Sequence, residues 1–141
     1  MYNTLLLVDD DTDDAELFVE ALQEIDDTVT CYAAADGRQA LEHLDQHSTK
    51  PDIIFLDINM PGMNGWQCLT ELKENPANKN IPVIIYSTSA AKRDRDIAAK
   101  LGALGFITKP ADYQELKNIL RQLLSQTNEQ QLRDSIHQLT A

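Results

Sequence analysis

Five short apolar runs punctuate the chain: Leu5 to Val8, Val29 to Ala34, Asp52 to Asp57, Pro82 to Ser87, and Gly105 to Thr108. Their lengths and flanking turn residues predict β-strands, and a helical stretch follows each. Leu17, Phe18, Ala21, Leu22 and Ile25 share one face of the first helix, and Leu116, Ile119, Leu120 and Leu123 share one face of the last. Such faces need a sheet to cover. The segments IIFL and VIIY are apolar at every position, as in central parallel strands covered on both sides, whereas edge strands alternate more. Strict alternation of five strand-helix units predicts a parallel sheet with right-handed crossovers, an open doubly wound α/β domain.

Local punctuation agrees with these boundaries. Asp112 followed by Glu115 resembles a capping box, and Gly102 after Leu101 suits a helix C-terminus. Gly37, Gly62 and Gly65 fall between elements, where tolerance of positive φ is useful. Residues 127–141 carry Leu132, Ile136 and Leu139 at helical spacing, but so short a helix is marginal alone. The expectation is a domain over 1–126 and a C-terminal extension over 127–141 that continues the last helix or frays, with no separate output domain.

At 141 residues, 43% hydrophobic and 25% charged, the chain has the size and composition of one globular domain. A formal net charge of -11 repels phosphate backbones, which argues against nucleic acid as a direct partner. No apolar run exceeds strand length, so no membrane association is expected. Cys31 and Cys68 match no metal or redox spacing, and MYNTLLLVDDD lacks a basic region before its apolar stretch. A reducing cytoplasm is the simplest compartment.

Ligands of open α/β sheets bind outside the carboxyl ends of the strands, where the strand order reverses. Strand one ends in Asp9, Asp10 and Asp11, strand three in Asp57 and strand four in Ser87, and Lys109 follows strand five. In the flavodoxin-like order 2-1-3-4-5, taken as precedent for this fold, those four strands are neighbours. Two carboxylates about 5 Å apart repel by roughly 3 kcal/mol at an effective dielectric near 20, so positive charge must join them. Lys109 supplies one such charge. A hard dication with oxygen ligands, Mg²⁺ or Mn²⁺, supplies the rest and accepts phosphate oxygens as well. Asp57 can then attack phosphorus as a carboxylate nucleophile while the metal, Lys109 and the Ser87 hydroxyl stabilise the equatorial oxygens.

These residues resemble the receiver domain of two-component response regulators, through LLLVDDD, IIFLDINMPGMNG, VIIYSTSA and GFITKP in that order, over about residues 3–125. The likeness is to stand-alone receivers of the chemotaxis and phytochrome-associated kinds. It implies that Asp10 and Asp57 bind metal directly, Asp9 mainly through water and Asn59 through its carbonyl, with the Asn59 and Thr88 amides holding phosphate. It implies a switch role for Ser87 and Phe106, the aromatic turning inward as Ser87 moves toward phosphate. It also implies a cis Lys109-Pro110 bond, where the base rate for X-Pro alone says trans. Ser89 and Asn59 stand where the resemblance places control of the phosphoryl lifetime. The implied donor is a sensor histidine kinase or histidine phosphotransfer protein. The implied output is a downstream protein docked on the fourth helix, fifth strand and fifth helix, and a homodimer is compatible with the family. Such a protein is a switch with slow self-catalysed chemistry, not an enzyme.

Simpler roles compete at several positions. Asp11, Asp13 and Asp14 suit the first helix N-terminus better than a metal. Phe106 can merely pack. His43 and His47, four apart, suit a solvated helix face, and Trp66 suits partial packing as well as a partner anchor. Three rival functions are weaker. An aspartyl-phosphate hydrolase needs a D-x-D-x-T/V pattern after strand one, which Asp13 breaks. A flavodoxin-like cofactor carrier needs a phosphate loop where this chain has DDDTDD. A degenerate receiver acting as a scaffold would lack polar site residues that are present here.

Overall fold

Ile53–Leu56 and Val83–Ser87 are buried at every position and form the strands β3 and β4 at the centre of the sheet. In the computed structural model, which describes residues 2–139, these strands join β1 (Thr4–Val8), β2 (Thr30–Ala34) and β5 (Gly105–Thr108). All pairings are parallel and the order is β2-β1-β3-β4-β5. The helices are α1 (Thr12–Ile25), α2 (Gly37–Gln46), α3 (Gly65–Glu74), α4 (Lys92–Lys100), α5 (Tyr113–Leu124) and α6 (Glu129–Leu139). The flavodoxin-like fold expected from the sequence is present, with strand boundaries within one residue of the apolar runs.

Because side chains alternate across a strand, each central strand feeds two cores. Leu5, Leu7, Phe55 and Tyr86 pack under α1 and α5, where Phe18 meets Phe55 and Tyr86 edge-to-face at 5.0 and 5.4 Å. Leu6, Val8, Leu56 and Ile85 pack under α2 and α3, against Leu44, Leu69 and Leu72. With both faces covered, the carboxyl end of the sheet is where loops converge.

Four expectations need correction. Leu17 is 43% exposed, because the 100° step of a helix turns it off the face that Phe18, Ala21 and Leu22 bury. Of Gly37, Gly62 and Gly65, only Gly62 has a positive φ, of 74°. Gly65 is needed for another reason: a Cβ there would stand 2.2 Å from the Asp57 carbonyl oxygen and 2.7 Å from Ile58 Cα. The Lys109-Pro110 bond is trans, as no cis peptide occurs among the described residues, and trans is the lower-energy isomer.

Over residues 127–139 the C-terminal segment is neither a continuation of α5 nor frayed, and the rest of the expected extension, 140–141, lies outside the described residues. Ser125 caps α5, and Asn128 opens a new helix by accepting from Gln131 N–H at 2.8 Å. Leu132 and Ile136 of α6 are buried against the core. Tertiary packing thus stabilises a helix too short to persist alone.

Candidate functional site

β1 and β3 are hydrogen-bonded neighbours, so Asp9 and Asp57 leave the sheet side by side, both buried. Backbone bonds fix the two ends: Asp57 N–H donates to Val8 O at 2.9 Å and Asp9 N–H to Ala34 O at 3.0 Å. Asp10 is exposed at the rim. Carboxylate oxygens of Asp9, Asp10 and Asp57 all lie within 4.8 Å of one another, and among the described residues no other His, Cys, Asp or Glu group has metal-holding geometry.

Lys109 reaches this acid pocket from the loop after β5. Its own N–H donates to Ser87 O at 2.7 Å, which ties the loop to the end of β4. The ammonium stands 2.8 Å from Asp9 Oδ2, 2.8 Å from Asp14 Oδ2 and 3.5 Å from Asp57 Oδ2. The Asp9 contact is an ion pair out of line for a hydrogen bond, whereas the Asp14 contact is a hydrogen bond. Burial works against the lysine charge, but the hydrogen bond to Asp14, the close contact with Asp9 and the charge of Asp57 outweigh it and raise its pKa. One cation faces four carboxylates, so the pocket keeps a negative excess that suits a hard divalent ion on oxygen ligands. That donor set fits Mg²⁺ or Mn²⁺.

Burial pushes the Asp57 carboxyl up to about 6; Lys109 opposes this, Asp9 adds to it, and Ile58 N–H, bound to Asp57 Oδ1 at 2.8 Å, also opposes it. That bond orients the side chain and turns Oδ2 toward Lys109. Ser87 is fully buried at the end of β4, and its Oγ accepts from Ser89 N–H at 3.2 Å. Asn59 and Thr88 are exposed, one in the loop after β3 and one in the loop after β4. The Ser89 hydroxyl donates to Asp94 in the first turn of α4, at 2.6 Å.

Phe106 is buried on β5, with the Arg95 guanidinium 5.9 Å from its ring centroid. Sequence reasoning missed the role of Asp14. It gave that residue to the helix terminus, yet Asp11 alone caps α1 by side chain, accepting from Asp14 N–H, and the Asp14 carboxylate turns to Lys109. No local signal set it apart from the other acids of that turn, because its partner lies 95 residues away in the chain. His43 and His47 stack ring on ring at 4.1 Å beside Tyr32, and Trp66 packs partly against the α2-α3 core. Cys31 and Cys68 are free thiols pushed up to about 12 by burial. No helix among the described residues is long and apolar enough to cross a membrane.

Comparison with known proteins gives the same outline. The profile described as the response regulator receiver domain matches residues 5–121. The structure of the phosphorylated cyanobacterial phytochrome response regulator RcpA superposes with a TM-score of 0.81 at 31% identity, covering 91% of this chain and 98% of that one. The Mn²⁺-bound response regulator Rcp1 gives 0.78 at 29% identity, covering 89% and 97%. A probable cyclic di-GMP phosphodiesterase of Vibrio cholerae is 33% identical over 115 residues, 82% of this chain but 25% of that protein. The chain spans between 15% and 53% of the length of four of the curated relatives it matches.

Proposed function

Because the chain belongs to the response regulator receiver domain family of two-component signalling, we propose that Asp57 accepts a phosphoryl group from the phosphohistidine of a sensor histidine kinase or histidine phosphotransfer protein. The observation that carries this reading is the convergence of Asp9, Asp10 and Asp57 within 4.8 Å, with Lys109 inserted among them. Asp57 Oδ2 attacks phosphorus; the new O–P bond forms as the P–N bond breaks, and its electron pair leaves with the donor imidazole. Ile58 N–H holds Oδ1, so the attacking oxygen is pre-oriented.

Asp10, Asp57 and the Asn59 carbonyl, with Asp9 mainly through water, would hold a divalent cation, which would supply charge neutralisation for the phosphoryl oxygens. Lys109 exchanges an acid contact for a phosphoryl oxygen. The Ser87 hydroxyl leaves Ser89 N–H to bind another, and the Asn59 and Thr88 amides take their share. Movement of Ser87 opens room that Phe106 fills, and this shifts a pre-existing equilibrium between two surfaces. Output is protein contact on α4, β5 and α5. The phosphoryl group then leaves by slow hydrolysis at a rate set at Asn59 and Ser89. We place the reaction in the cytoplasm. The scaffold reading loses force because the acids and the lysine converge and a hydroxyl is present at the end of β4.

Incubation with Mg²⁺ and a small phosphodonor, read by intact mass, tests the reading. The parent should gain one phosphoryl group and Asp57→Ala none; equal labelling of the variant would move the acceptor elsewhere.

A further inference from the structure

α6 lies along the outer edge of β5, between α4 and α5. Its seat is Gly105, where a Cβ would stand 2.6 Å from Ile136 Cγ2. Its far end reaches the loop of the acid pocket, since Leu139 and Lys109 line one cavity of about 380 Å³. In apolar terms the helix is well seated, with Leu132 0% and Ile136 2% exposed.

The polar fit is poor. Arg95 of α4 and Arg133 of α6 line the same cavity of about 250 Å³, so docking α6 brings like charges to one space. Arg95 Nε is buried without a hydrogen-bond partner among the described residues, and so is Ser135 Oγ on α6 itself. Buried polar groups left unmatched weaken a docked element. A helix built only to stay on this edge would carry an acid at 133 and an apolar side chain at 135.

We propose that α6 is a displaceable cis occupant of the α4-β5-α5 face, and that the partner replacing it presents an amphipathic helix with branched aliphatic residues at i and i+4 and a carboxylate at i+1. The aliphatic pair takes the seats of Leu132 and Ile136. The carboxylate meets Arg95 where α6 offers Arg133. The proposal rests on the reading of this face as the output surface, and it adds both the competitor and the chemistry of the displacing helix.

Two fluorescein-labelled peptides serve as probes: residues 127–141 as they stand, and the same sequence with Arg133→Glu. The host is the full chain carrying Leu132→Asp and Ile136→Asp, which cannot bury its own α6. The acidic peptide should bind this host about tenfold more tightly than the unmodified one. Adding Arg95→Gln to the host should remove the preference, and adding Gly105→Val should remove binding of both. The parent, whose seat is filled, should bind both weakly. Equal binding of the two peptides, or binding indifferent to Gly105→Val, overturns the proposal.

If the host fails to fold, Arg133→Glu in the otherwise unchanged full chain decides. Amide hydrogen exchange over residues 132–139 slows if the new carboxylate pairs with Arg95, and unchanged or faster exchange overturns the idea. No phosphoryl group is needed in either arm. Failure of Asp57 to label therefore leaves this result standing, and failure of the peptides leaves labelling standing.

Discussion

At Asp57 stability and chemistry pull apart. A buried carboxylate beside Asp9 is held in its protonated form up to a pKa of about 6, well above the ordinary carboxylate value of 3.8. The folded state therefore binds this proton more tightly than the unfolded chain does. Stability from this group is present below about pH 4 and is lost as pH rises through about 6. Without divalent cations, Asp57→Asn should thus be more stable than the parent at pH 7.5 by about 1–2 kcal/mol, discounted for water reaching the pocket. The advantage should shrink toward pH 4, as thermal melts in chelator would record; a pH-independent difference would contradict the cause given. The sequence made Asp57 legible because it ends a central strand while Asp9, Asp10, Ser87 and Lys109 stand at the ends of its neighbours, in motifs that resemble one family. It did not reveal Asp14 as a partner of Lys109, because a first-turn acid serves the helix dipole equally well and only the fold brings residue 109 within reach.

Among the elements, the β3-α3 connection has the least room. Gly65 begins α3 against the backbone of Asp57 and Ile58, and its N–H donates to Ile58 O at 2.7 Å. Gly65→Ala should cost about 1–3 kcal/mol, since backbone must move to admit a methyl group. Because the atoms that move belong to the phosphoacceptor itself, phosphodonor labelling should slow as well. Denaturant melts and labelling rates read the two effects, and a variant that loses neither would mean the close approach is relieved elsewhere. The elements themselves were mostly visible beforehand, since all-apolar IIFL and VIIY can be only central strands or buried helix, and their length decides. α6 was not. Its three aliphatic residues fit a helix, but whether a short helix persists depends on the groove at Gly105, which no local pattern encodes.

For the whole molecule, the net charge of -11 and the acid pocket make a divalent cation a stabilising ligand of the folded state. At a Mg²⁺ concentration 100 times its Kd, stability should rise by about 2.7 kcal/mol, a Tm increase of roughly 10 °C. Asp9→Asn with Asp10→Asn should show little of that rise under the same salt. Strand order was the one global feature that periodicity could not supply, because alternation fixes a parallel sheet but not where the strand order reverses. It came from likeness to known folds, and the order β2-β1-β3-β4-β5 then brought residues from four strand ends together.

The most direct measurement is tandem mass spectrometry of the chain after exposure to a small phosphodonor, in Mg²⁺ and in EDTA. The phosphoryl group should appear on the peptide containing Asp57 in Mg²⁺ and be absent in EDTA. A group found on another residue, or on Asp57 equally in EDTA, would contradict the proposed function.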